Sequence, residues 1–311
     1  MEPTQRALRR LGLPTRDAHD LPTSNKRFPD GAQYRLEIPS TEGPRAFELV
    51  LDAAHEFGIA GQIQRISQGS GIMLLADGEI RQMAAIGRRE GIEVSLFVGP
   101  KAGWETSATA RTPGGAVVAP RLRGADQLVY AIEDVRRAMA LGIRGVLVAD
   151  EGLLWVLDEM RRAGDLPADL VIKISVMMGS ANPASLRLLE RLGAGTLNVP
   201  TDLTLAQLAA VRQATDLPLD VYVEAPDELG GFIRHYEIPE LIRVAAPVYV
   251  KFGLRNAPNV YPAGTHLEAT ALALTRERVR RASLGLAMIQ RYYPEAIASR
   301  CGAAGLAVPV E

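Results

Sequence analysis

The chain has 311 residues, 47% of them hydrophobic, with 35 Lys and Arg against 36 Asp and Glu and one cysteine. That length buries a large core, and the net charge of −1 leaves no basis for general binding to nucleic acid or anionic membrane. The lone Cys301 excludes an intrachain disulfide and a Cys-ligated cluster, and it fits a reducing compartment. No apolar run approaches the roughly 18–20 residues of a membrane span. The first 31 residues lack an apolar signal core, so the expectation is a soluble cytoplasmic protein without a membrane partner.

Residues 1–33 read as an N-terminal extension with one helical turn. From Tyr34 onward, short β-like runs alternate with amphipathic helical runs. Run 34–40 precedes helix 44–58, run 63–69 precedes helix 77–91, and run 92–100 leads through a long loop to helix 126–142. Run 145–150 precedes helix 151–164, 171–179 precedes 182–193, and 196–201 precedes 204–216. Run 221–226 precedes helix 237–245, and 248–253 precedes 275–293. Gly58, Gly91, Gly142 and Gly193 stand where helices end.

Eight β-then-α units predict parallel strands with right-handed crossovers, closed into a single-domain α/β fold, a (β/α)8 TIM-type barrel over 34–295. The absence of GxGxxG after the first strand and of GxxxxGK[ST] argues against a nucleotide-binding open sheet. Residues 296–311 form a C-terminal tail. The segment 101–125 is too long for a plain connection and reads as a lid-like insertion or an oligomer arm, with Trp104, Arg111, Arg121 and Arg123 as its contacts.

Strand residues alternate faces. One face is apolar throughout, as in Leu36/Ile38, Val94/Leu96/Val98, Ile172/Ile174 and Val248/Val250. The other carries Glu37, Arg65, Ser67, Ser95, Lys173, Ser175, Asn198, Glu224 and Lys251. Charges inside a barrel are costly unless paired or turned towards a site, so a polar cluster near the C-terminal rim is expected. Glu224 and Lys251 end adjacent strand runs and form a candidate ion pair, acid/base pair or Lys nucleophile; a structural salt bridge is the alternative.

Glu37 and Glu224 are candidates for paired acid/base work, and Glu37, Asp150 and Glu224 for oxygen ligands of a divalent metal. Asp150 also suits a helix cap. Lys173 is a candidate catalytic or neutralising group, and His235 and His266 are rim-loop candidates for general acid/base work. Arg65, Asn198, Arg255, Asn256 and Ser180 are candidate substrate contacts. Loops 179–183, 228–232 and 251–259 are candidate anion sites.

The span LGAGTLNVPTDLTLAQLAAVRQATDLPLDVYVEAP (192–226) resembles the peptidase U-32 (collagenase-like) family. There a Gly-Ala precedes a strand, a Leu-Ser/Thr-Leu-x-Glu/Gln segment opens a helix, and a second strand follows. The segment LEIPSTEGPRAFELVLDAAHEFG (36–58) resembles the family more weakly. The resemblance implies a barrel-type catalytic domain. Glu224 stands where the family's second strand has His, and the family's Cys residues are missing, so no iron–sulfur cluster is expected.

The expectation is an enzyme acting on a small or peptide-like polar substrate at the C-terminal rim, a divergent U-32-like hydrolase. The alternatives are a Lys251-dependent Schiff-base lyase or aldolase, with Arg255 holding a carboxylate or phosphate, and a non-catalytic scaffold barrel. The cofactor is open, with a divalent metal as one candidate, and so is a homo-oligomer.

Overall fold

The computed structural model describes residues 1–104 and 108–311. Eight parallel strands pair in chain order and close on themselves. They are β1 (Tyr34–Pro39), β2 (Arg65–Gln68), β3 (Glu93–Phe97), β4 (Gly145–Val148), β5 (Val171–Ile174), β6 (Thr196–Asn198), β7 (Leu219–Glu224) and β8 (Val248–Phe252). The closing seam pairs β1 with β8, setting Leu36 opposite Val250 and Glu37 opposite Lys251. The expected single-domain (β/α)8 barrel is the fold.

The outer ring holds α2 (Pro44–Glu56), α3 (Asp77–Glu90), α4 (Gly124–Ala140), α5 (Glu151–Ala163), α6 (Pro183–Arg191), α7 (Leu205–Ala214), α8 (Ile238–Ala245) and α9 (Glu268–Tyr292). Their apolar stripes meet the outward strand residues in one continuous core that includes Phe47, Val50, Ile80, Leu154, Leu186, Leu208, Leu241 and Val279. The anticipated helix ends hold: Gly58, Gly91, Gly142 and Gly193 have φ of 70°, 66°, 94° and 98°, a region costly for side-chain-bearing residues. Helix α9 begins seven residues earlier than the pattern suggests, because 268–274 are themselves good helix formers.

The N-terminal extension carries a longer helix than the single turn expected, α1 (Glu2–Arg10), with no buried residue. Beyond it the chain descends along α7 and α8: Ala18 N donates to the Ala206 carbonyl in the first turn of α7, and Ser24 Oγ to that of Ala246, just before β8 at the N-terminal end of the barrel. The tail lies at the same end, with Ser299 N donating to Tyr34 O and Val310 N to Gly142 O. Arg35 joins these pieces. It stacks 4.0 Å from the Phe28 ring and donates to Ser299 Oγ and to the carbonyls of Ala304 and Gly305. The N-terminal mouth is thereby sealed. No helix among the described residues is long and apolar enough to cross a membrane.

Candidate active site

The inward face is charged, as the alternation predicts. Glu37 stands at its centre, fully buried, and three cations converge on it. Arg65 Nη2 lies 2.6 Å from Glu37 Oε2, Lys173 Nζ bonds Oε1, and Lys251 Nζ lies 3.4 Å from Oε1. Ser67 Oγ donates to the same carboxylate. Arg65 also pairs with Asp220, reaches Glu93 at 3.3 Å and lies 3.3 Å over the Tyr249 ring. Three carboxylates thus meet three cations in the dry interior, which makes the cluster tolerable.

Burial alone would raise the pKa of Glu37. Arg65, Lys173 and Lys251 outweigh it and hold the carboxyl well below its usual range. Glu37 is therefore a fixed anion rather than a proton donor. Lys173 loses more. Burial first, then Arg65 beside it, lower its ammonium to about 7 despite Glu37. Arg65 stays charged: burial works against it, and Asp220, Glu37 and Glu93 more than compensate.

Above this layer lies a cavity of about 340 Å³ at the C-terminal mouth. Lys251, Asn198 and Ser67 form its floor, and Ser40, Gln68, Tyr222 and Tyr261 its polar wall. With its amide nitrogen turned to the Asp220 carbonyl, Asn198 accepts from Lys251 Nζ at 2.8 Å through its side-chain oxygen. The Tyr222 ring lies 4.2 Å from the same ammonium. Lys251 is thus held from three sides. The opposite wall is apolar, made by Phe97, Leu147, Val176 and Met177.

The described part of segment 101–125 covers this mouth, with Lys101, Gly103, Trp104, Ala110 and Ala119 lining the cavity. Residues 105–107, which belong to the expected lid, lie outside the described residues. Arg121 anchors the segment to Glu151 and the Ala149 carbonyl, while Arg111 is exposed. Gly69 makes room on the far side: a Cβ there would stand 2.4 Å from the Tyr261 ring. Ser40 holds φ of 57° and bonds Tyr261 through its hydroxyl, a backbone state that non-glycine residues rarely adopt.

Several expected placements need correction. Glu224 does not face Lys251. Between Tyr222 and Glu224 the register to β8 shifts by one residue, so Tyr222 opposes Lys251 and Glu224 opposes the outward Phe252. This bulge turns the Glu224 carboxylate to the helix layer, 3.3 Å from His235 Nε2 and 3.6 Å from Arg281 Nε. His235 is buried there against Phe252, at 5.7 Å between ring centroids, and is no rim group.

Arg65 lies beneath the cavity floor with no exposed surface, so a substrate does not reach it. Asp150 caps α5 by accepting from Leu153 N at 2.9 Å. The three carboxylates expected to share a metal therefore lie apart, one inside the barrel, one on a helix cap and one outside. Among the described residues no group of three or more His, Cys, Asp or Glu could hold a metal ion. His266, Arg255 and Asn256 are exposed in the loops after β8, and Ser180 is half-buried after β5; none of the four lines the cavity. Of the expected residues, the structure brings together Glu37, Lys173, Lys251, Arg65 and Asn198.

The molecule is thus a parallel (β/α)8 barrel with a charged interior and a closed-over C-terminal cavity. Residues 117–225 match the sequence profile of Peptidase family U32. The likeness drawn from residues 192–226 is shown by that match, which takes in all of the segment but Pro226. Cys301 lies outside the matched span. No curated protein matches.

Solved structures resemble the chain at low identity. The U32 peptidase Mk0906 is 18% identical with a TM-score of 0.39, over 65% of this chain and 73% of that one. A dimeric archaeal Rubisco from Hyperthermus butylicus is 12% identical with a TM-score of 0.46, over 88% and 70%. Thiamine phosphate pyrophosphorylase from Pyrococcus furiosus is 15% identical with a TM-score of 0.43, over 79% and 97%. Nothing about ligand or reaction follows from similarities of this size.

Proposed function

We propose that the protein is an enzyme acting on a carbonyl group of a small polar or peptide-like substrate in the mouth cavity, in the manner of a divergent U32-like hydrolase. The observation that carries this reading is the fixed ammonium of Lys251 on the cavity floor, oriented by Glu37 and Asn198. When water adds to the carbon, a carbonyl oxygen seated on Lys251 gains negative charge; it loses that charge again as the C–N bond breaks and the amine leaves with a proton from the water. A preoriented ammonium stabilises that charge without reorganising. The match of 117–225 to a peptidase family supports hydrolysis as the outcome. The cavity volume restricts the substrate to something near the size of an amino-acid or dipeptide amide.

A second reading is favoured by one observation: Lys251 shares a carboxylate with Lys173 and Arg65. A lysine amine held in place at the floor of a carbonyl-sized cavity is positioned to act as a nucleophile. Its nitrogen would bond the carbonyl carbon, and the carbonyl oxygen would leave as water, giving an imine.

Borohydride treatment in the presence of 2-oxo acids or amino-acid amides, followed by mass spectrometry, separates the two. Mass added on Lys251 selects the imine. Turnover lost in Lys251→Met without trapping selects the hydrolase. Turnover retained in Lys251→Met overturns both.

A further inference from the structure

Among the described residues, Lys101 is the cavity cation with no carboxylate in ion-pair reach. It stands four residues past the end of β3, is only 7% exposed, and lines the mouth cavity. Its ammonium lies 3.6 Å from the Phe97 ring centroid and 4.0 Å from that of Trp104, between two aromatic faces. Of its three N–H groups, one donates to the Gly69 carbonyl at 3.1 Å. Among the described residues no carboxylate lies within ion-pair reach of it. Glu42, the acid that it feels at longer range, is engaged by the backbone N–H groups of Gly69 and Ser70. Lys251, by contrast, is balanced by Glu37. Glu228 at the rim is exposed and bonded to Asn259.

A buried ammonium with two idle donors is costly unless something anionic meets it. We infer that Lys101 is the anchoring subsite for a monoanionic carboxylate, and that the ligand of the cavity is a carboxylic acid with a short apolar chain. That one charge, unbalanced among the described residues, sets the anion's valence. A dianion such as sulfate would hold its second charge against Phe97, Trp104 and Leu147, with no cation to meet it. The apolar wall sets the rest of the molecule. Phe97, Leu147, Val176 and Met177 offer nothing to a polar chain, while the reacting end meets Ser67, Asn198 and Lys251 opposite. Because Lys101 opens the segment that covers the mouth, a bound carboxylate also ties that segment to the barrel.

This inference deepens the reading of the cavity as the reaction site, and it is tested by binding, without turnover. Calorimetric titration of the full chain would use 4-methylpentanoate, its neutral isostere 4-methylpentanamide, and inorganic sulfate. The expected result is that the acid binds at least tenfold tighter than the amide and sulfate does not bind. Lys101→Met abolishes the preference for the acid, whereas Lys101→Arg, which keeps the charge, and Lys251→Met retain it. The inference is overturned if acid and amide behave alike in the unaltered protein, bound or unbound. It also falls if sulfate binds tighter than the acid, or if the preference survives in Lys101→Met or disappears in Lys251→Met. If Lys251→Met keeps turnover while Lys101→Met loses the preference, the catalytic reading falls and this one stands.

Discussion

Lys251 and Glu37 face one another in register across the β1–β8 seam, with the ammonium 3.4 Å from the carboxylate, at the level where the charged interior meets the open cavity. The pair divides the barrel into a lower part that holds charge still and an upper part that can receive a molecule. Glu37 belongs to both, because Arg65 and Lys173 hold it from below.

Glu37→Gln should therefore damage the fold more than an ordinary carboxylate substitution. It leaves Arg65, Lys173 and Lys251 buried with one anion fewer, and breaking such a pair costs about 3–5 kcal/mol. Urea unfolding should show a lower midpoint with an unchanged slope. A midpoint within experimental error of the parent would contradict the account of the interior.

Glu224→Gln should lower stability by about 1–3 kcal/mol, because His235 and Arg281 lose the charge beside them in a buried position. Turnover per folded molecule should not change, since the carboxylate faces the helices rather than the cavity. A fall in kcat larger than tenfold in folded protein would place Glu224 back in the chemistry.

Lys101→Met should flatten the alkaline limb of the stability profile. Burial lowers the Lys101 ammonium to about 8 from its ordinary 10.5. Between those values the unfolded chain binds more protons than the folded one, so stability rises with pH. Below about 8 the buried charge is a standing cost on the order of 1–3 kcal/mol. The variant should match or exceed the parent's stability at pH 7 and lack its contribution to the rise from 8 to 10.5. Equal slopes in the two proteins would show that Lys101 is not desolvated.

Gly69→Ala should perturb the cavity from a distance. The new methyl would stand 2.4 Å from a Tyr261 ring carbon, and the ring is held by Ser40, so the wall must shift. The destabilisation should be about 1–3 kcal/mol. Combining it with Ser40→Ala, which frees the Tyr261 hydroxyl, should cost less than the sum of the two single changes. Strict additivity in a double-mutant cycle would show that the two residues do not share the ring.

Much of this was legible in the sequence because periodicity and punctuation agree. Strand runs of alternating character ended at Pro or Gly, helices ended at glycines, and the count of units left few topologies. Alternation also placed Glu37, Arg65, Lys173, Asn198 and Lys251 inside. It failed at Glu224, where one extra residue in β7 reverses the face, because a bulge leaves no mark in a pattern of period two.

Asp220 and Glu93 complete the interior network yet lie at strand starts, where the alternation reads ahead to their apolar neighbours. Lys101 sits just past a strand end, and its meaning comes from Phe97 and Trp104 closing around it, a tertiary fact. The available signal was a lysine between two aromatic residues at the start of a long loop.

The sealed lower mouth has a kinetic consequence. Phe28, Arg35 and residues 299–305 stopper one end of the barrel, so traffic to Lys251 runs through the other. The cavity behind that opening measures about 340 Å³. Arrival and departure share one doorway. A spent molecule that lingers there blocks the next, and its accumulation should act on the vacant protein as a straightforward competitor.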